Sequence, residues 1–137
     1  MSIPKRAAQL ITVSGPVDAA VATVVAAFGR RHFRVRRASP TVTELQIGHR
    51  NLPMLLGEFS LFPGALGRLG KYMRLTVELR GPGEVLVGVE EMQFGITLYP
   101  VVLEALEELL ETLEANGVLE DVGPLADLDD LRSIHPS

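Results

Sequence analysis

The chain reads as an α+β domain: an antiparallel sheet of about five strands, with an N-terminal helix, a short middle helix and a long C-terminal acidic helix packed on it. Three observations predict this. Two segments place apolar residues at helical spacing, several others alternate apolar and polar residues, and the clearest alternating pair is joined by Gly81-Pro82-Gly83. The 137 residues fit a single domain with its own core. With 47% hydrophobic residues but only 5% aromatics, that core is expected to be aliphatic.

Residues 1–13 read as an arm or edge strand containing the apolar stretch Ala7–Val13. Ser14-Gly15-Pro16 then marks a helix start, with Ser14 as the cap and proline near the first helical position. Val17, Ala20, Val21, Val24, Val25 and Phe28 form one helical stripe; Gly29 supplies the stop, and Arg30 and Arg31 complement the dipole. Phe33 and Val35 alternate with Arg34 and Arg36 in a first strand. Leu45 and Ile47 alternate with Glu44 and Gln46 in a second, across the turn at Ser39-Pro40. Residues 54–62 are expected as a third strand, followed after Pro63-Gly64 by a short helix over 65–70.

Met73, Leu75, Val77 and Leu79 then alternate with Arg74, Thr76, Glu78 and Arg80, and Val85, Val87 and Val89 return after the glycine turn. The register implied sets Leu79 against Val85, Val77 against Val87, Leu75 against Val89 and Arg74 against Glu90. Glu78 facing Leu86 is its one mismatch. A long helix begins near residues 97–100 and runs to Ala115, closed by Asn116-Gly117, with Val102, Leu103, Leu106, Leu109, Leu110 and Leu113 on its apolar face. Residues 118–137 read as an acidic tail with one short helical turn carrying Leu125, Leu128 and Leu131.

Charge is distributed unevenly along the chain. Residues 1–80 carry 12 Lys and Arg against 4 Asp and Glu, whereas residues 81–137 carry one Arg against 13 acids. Such a split predicts two surfaces of opposite potential, suited to pairing with a partner or a second copy. The electrostatic candidates are Arg30, Arg31, Arg34, Arg36 and Arg37 on one side, and Glu104, Glu107, Glu108, Glu111 and Glu114 on the long helix. The plain alternative for the glutamates is a solvated helix face, and for the arginines a wet strand beside a helix end. The arginines also admit nucleic-acid binding, which the shortage of aromatic stacking residues and the net charge of −4 disfavour. The apolar candidates for partner binding are Leu52, Met54, Leu56, Phe59 and Phe62, which also suit a lid over an apolar ligand.

Other chemistries find little support. No cysteine is present, which removes disulfides, thiolate catalysis and cysteine zinc sites and makes a cytoplasmic home the expectation. His32, His49 and His135 do not stand at metal-ligand spacing, and the glycines follow neither phosphate-loop nor dinucleotide patterns, so no cofactor or metal is expected. Glu90 and Glu91, adjacent on a strand, should point to opposite faces and so not form a catalytic pair. The longest uncharged run, residues 92–103, is too short to span a bilayer, and no membrane insertion is expected. No enzyme is expected.

The order helix, three strands, short helix, two strands, long helix resembles the type III secretion chaperone fold and its YbjN-type relatives. The residues that carry the resemblance are the hairpin Leu75-Thr76-Val77-Glu78-Leu79 and Val85-Leu86-Val87, leading through Thr97-Leu98-Tyr99-Pro100 into the long helix. The resemblance implies a homodimer that binds protein partners without enzymatic activity. Should Ala7–Val13 pair as a strand, the order would instead look like a helix-grip sheet holding a small apolar ligand.

Overall fold

The computed structural model describes residues 6–48, 71–93 and 98–134. Its elements run β1 (Ala7–Val13), α1 (Val17–Gly29), β2 (Arg34–Ala38), β3 (Val42–Ile47), β4 (Tyr72–Gly81), β5 (Glu84–Gln93), α2 (Tyr99–Ala115), β6 (Leu119–Val122), β7 (Ala126–Asp127) and α3 (Leu128–Ile134). One antiparallel sheet holds all seven described strands in the order β2-β3-β4-β5-β1-β6, with β7 also pairing to β1.

The strand period decides the layers. Leu75, Val77, Val85, Val87 and Val89 point to one face, where they pack with Val24 and Phe28 of α1 and with Leu106, Leu109 and Leu113 of α2. The opposite face carries a smaller apolar cluster of Ala8 and Leu86, covered by Leu128 and Leu131 of α3. The β4–β5 register sets Leu79, Val77 and Leu75 against Val85, Val87 and Val89, as the alternation predicts.

The expected architecture needs correcting. The sheet has seven strands rather than about five, and strand outweighs helix among the described residues. The chain does not end in a long acidic helix: α2 is followed by β6 and β7, and the C-terminal helix, α3, has only seven residues. β6 and β7, of four and two residues, are too short to display an alternation, so residues 118–134 resembled a tail. β1 is neither an arm nor an edge. It lies between β5 and β6, because Ala7 and Ile11 bury on one face and Ala8 on the other. The strand expected over 54–62 and the helix expected over 65–70 lie outside the described residues.

The ends of α1 differ from expectation, whereas α2 closes at Asn116 and Gly117 as expected. Pro16, not Ser14, occupies the N-cap of α1; Ser14 instead donates its backbone N–H to Val118 at 2.8 Å. Gly29 is the last residue of α1, as expected, but it does not adopt the left-handed closing conformation. His32 does, at φ 74°, with its N–H on the Gly29 carbonyl and the Phe33 N–H on the Phe28 carbonyl. This is a Schellman closure, sealed by an edge-to-face Phe28–Phe33 contact at 5.4 Å. Gly117 closes α2 in the same manner, its N–H on Glu114 and that of Val118 on Leu113.

Candidate interaction surface

A seven-residue helix cannot stand alone in water, so α3 must be held by its surroundings. Asp127 caps it, accepting the Asp129 N–H at 3.0 Å. Leu128 and Leu131 bury over Ala8 and Leu86. Gly88 makes the approach possible, since a Cβ there would stand 2.7 Å from the Ala8 Cβ and 2.8 Å from Leu128 Cδ1. At the far end the Arg80 guanidinium donates to the Arg132 carbonyl at 3.1 Å.

Ion pairs complete the attachment. Arg132 bridges Glu78 and Glu90, Arg6 bridges Glu90 (3.1 Å) and Asp129 (2.8 Å), and Arg80 reaches Glu78 at 3.4 Å. This explains the one mismatch in the hairpin register: Leu86 is covered by α3, and the same helix delivers Arg132 to Glu78. A second limb runs from Arg36 to Glu44 (2.7 Å), on to Arg74 (3.3 Å) and to Glu91 (3.4 Å). Between the limbs lies a cleft of about 200 Å³, lined by Val42, Glu44, Arg74, Thr76, Glu78, Glu90 and Arg132.

A β-bulge brings Glu90 and Glu91 to the same face, contrary to the simple alternation. Arg74 pairs with Glu91 and Leu75 with Val89, leaving Glu90 as the extra residue. The cleft nevertheless offers poor acid–base chemistry. Burial pushes the Glu90 carboxyl up, but the hydrogen bond from Arg132 and the charges of Arg132, Arg6 and Arg74 outweigh it and hold the group ionised. Arg132, despite burial, is held protonated by Glu90 and Glu78. Carboxylates engaged by guanidinium groups that do not lose their protons are fasteners rather than bases. Among the described residues no group of three His, Asp or Glu is placed to hold a metal ion.

The charge split of the sequence therefore folds partly onto itself. Arg30 and Arg31, at the end of α1, both pair with Glu108 of α2 (2.9 Å from Arg31), and these hydrogen bonds hold Glu108 below the usual carboxylate range. Glu104, Glu107, Glu111 and Glu114 remain exposed on the outer side of α2. Arg34 donates to the Gly48 carbonyl at 3.2 Å, Arg36 pairs with Glu44, and Arg37 is exposed. Leu52, Met54, Leu56, Phe59 and Phe62 lie outside the described residues.

What remains for contact is the edge of the sheet. All five residues of β2 are exposed, and Val35, 48% exposed, is the one large hydrophobic side chain left so among the described residues. The strand is hydrogen-bonded to β3 on one side and, among the described strands, ends the sheet on the other, with Arg36 forming a bulge. Val35 lies opposite Leu45 on the helix-covered face, while Arg36 joins Glu44 on the other. Separately, Arg30, Arg31, His32, Ile47, Leu98, Val101 and Glu104 line a groove of about 290 Å³ where α1 ends and α2 begins. Sequence reasoning named the arginines but missed the Arg6, Glu78, Glu90 and Arg132 cluster. The polar positions of β4, alternating with its buried ones, were the available signal. Comparison with protein-family models, curated proteins and solved structures found no match. No described helix is long and apolar enough to cross a membrane.

Proposed function

We propose that this chain is a non-enzymatic, chaperone-like protein-interaction module that holds an extended, acidic segment of a partner along the β2 edge. The observation that supports the reading is the edge that β2 forms among the described strands: five exposed residues carrying three arginines around Val35. An added strand would find main-chain donors and acceptors there, with guanidinium groups beside it for alternate acidic side chains. Charge would steer the encounter and choose the partner, while backbone pairing and burial of Val35 would supply the affinity. The test is a titration with two synthetic peptides, one alternating Glu and Val, the other Lys and Val, followed by amide chemical shifts. The acidic peptide is expected to shift and protect the β2 amides and the basic one to leave them unchanged. Equal effects from both peptides, or none from either, would refute the reading.

A second reading, a binder of small apolar ligands, is favoured by the pairing of β1 within the sheet, which gives the helix-grip-like order. The groove beside His32, with Ile47, Leu98 and Val101 as its apolar lining, is the place for such a ligand. Stoichiometric uptake of a fluorescent fatty acid, shifting the Leu98 and Val101 amides, would support this alternative. Fluorescence unchanged by the protein would remove it.

A further inference from the structure

The described strands give the sheet two ends, and these are complementary. β2 ends it on one side with Arg34, Arg36 and Arg37; β6 ends it on the other with Glu120 and Asp121, both exposed. The match extends to the faces. On β2, Val35 lies on the helix-covered face, opposite Leu45, while Arg36 reaches Glu44 on the other. On β6, Val122 pairs with the buried Ile11 and Leu119 with the buried Val13, while Asp121 pairs with Thr12, a residue of opposite parity. Setting β6 of one copy beside β2 of another, helices on the same side, would place Val35 near Leu119 and Val122, and the arginines near Glu120 and Asp121.

We propose that the occupant of the β2 edge is β6 of a second copy, so that the protein self-associates head to tail by extending its sheet. This rests on the strand-addition reading above and adds the identity of the partner. The two-fold alternatives are disfavoured by charge: β2 against β2 opposes arginines with arginines, and β6 against β6 opposes acids with acids. A head-to-tail contact leaves a β2 edge at one end of every assembly and a β6 edge at the other. Growth is therefore open-ended unless the rotation closes a ring, unlike the self-limited dimer that the chaperone resemblance implies. The same charges that keep like edges apart select the unlike one.

The experiment is sedimentation velocity on the full chain over a concentration series at low and high salt, with two charge-reversed variants. Arg34→Glu with Arg37→Glu makes both edges acidic; Glu120→Lys with Asp121→Lys makes both basic. The wild type is expected to show mass rising with concentration at low salt, and at least about a tenfold weaker association at high salt, as screened surface charge requires. Each variant alone is expected to stay monomeric, and an equimolar mixture of the two to associate again. Circular dichroism checks that the exposed substitutions leave the fold intact. Hydrogen exchange on the wild type gives a measurement free of substitutions, with β2 and β6 amides gaining protection together as concentration rises. A wild type that stays monomeric throughout overturns the proposal, as does association that survives both reversals. If the acidic peptide still protects β2 in a monomeric wild type, only the self-pairing falls. If the peptide also fails, the strand-addition reading falls with it.

Discussion

The two faces of this sheet are held by different physics. One is covered by α1 and α2 over a continuous aliphatic layer; the other carries a short helix fastened by four apolar side chains and a web of ion pairs. Burial on the first face is non-directional and grows with area, so removing one side chain there weakens the whole layer. Attachment on the second depends on a few geometrically demanding contacts, each of which can be removed. The first face should therefore unfold with the whole domain, and the second should release α3 on its own.

The largest expected effect is on the helix-covered face. Leu109 is fully buried in α2, and Leu109→Ala should destabilise the domain by about 3 kcal/mol through lost transfer energy and the cavity left behind. Urea titration should show a lower midpoint with an unchanged slope, since the protein still unfolds as one unit. Leu128→Ala removes an equally buried leucine, but α3 can detach without the sheet unfolding, which limits the global loss to the free energy of docking. Hydrogen exchange should show α3 amides losing protection while β4 and β5 keep theirs. Comparable global losses from both substitutions would show that the faces are one cooperative unit.

Next in size is Arg132→Met, which keeps much of the stem but removes the partner shared by Glu78 and Glu90. A loss of about 1.5 kcal/mol is expected, the low end for hydrogen bonds to charged groups, since Arg6 still reaches Glu90 and Arg80 still reaches Glu78. Its signature is in pH. Glu90 titrates below its ordinary 4.5 in the folded protein, so its stabilisation is present above that value and fades as pH falls through the lower folded pKa. Wild type should thus lose α3 protection on acidification below about pH 4.5, while Arg132→Met, already without the contact, should change much less over the same range. Identical acid profiles would place the wild type's acid sensitivity elsewhere, with Glu108 the next carboxylate to test.

The same contrast governs what the sequence makes legible. In the central hairpin Leu75, Val77, Val85 and Val87 alternate with the period of a half-covered strand, and their register follows directly. The β1 position was not legible, because Ala7 and Ala8 bury on opposite faces and so show no alternation. Nor was the ionic web. Arg6, Glu78 and Arg132 are far apart in sequence, and their meeting depends on α3 folding back over Gly88. Charge counted by half-chains pointed to a partner, yet Arg30 and Arg31 meet Glu108 within the molecule. Of the arginines that the charge pattern singles out, those of β2 alone lie at the edge of the sheet formed by the described strands.

The smallest expected effect compares the ends of the two helices that cover the apolar face. Both close in the left-handed conformation, α2 with Gly117 at φ 73° and α1 with His32 at φ 74°. A side chain in that region costs about 1–2 kcal/mol, whereas glycine adopts it freely. His32→Gly should relieve this strain but loosen the unfolded chain by about 0.4–1 kcal/mol, for a net gain of about 0.5 kcal/mol. Gly117→Ala reverses both contributions, and since no atom stands within 4 Å of the new Cβ, backbone strain less the gain from a stiffer unfolded chain should set its net loss, about 0.5–1 kcal/mol. Thermal melts of the two variants should move in opposite directions. If His32→Gly lowers the melting temperature instead, the imidazole makes contacts worth more than the strain it imposes, and the groove it lines becomes the better candidate for binding.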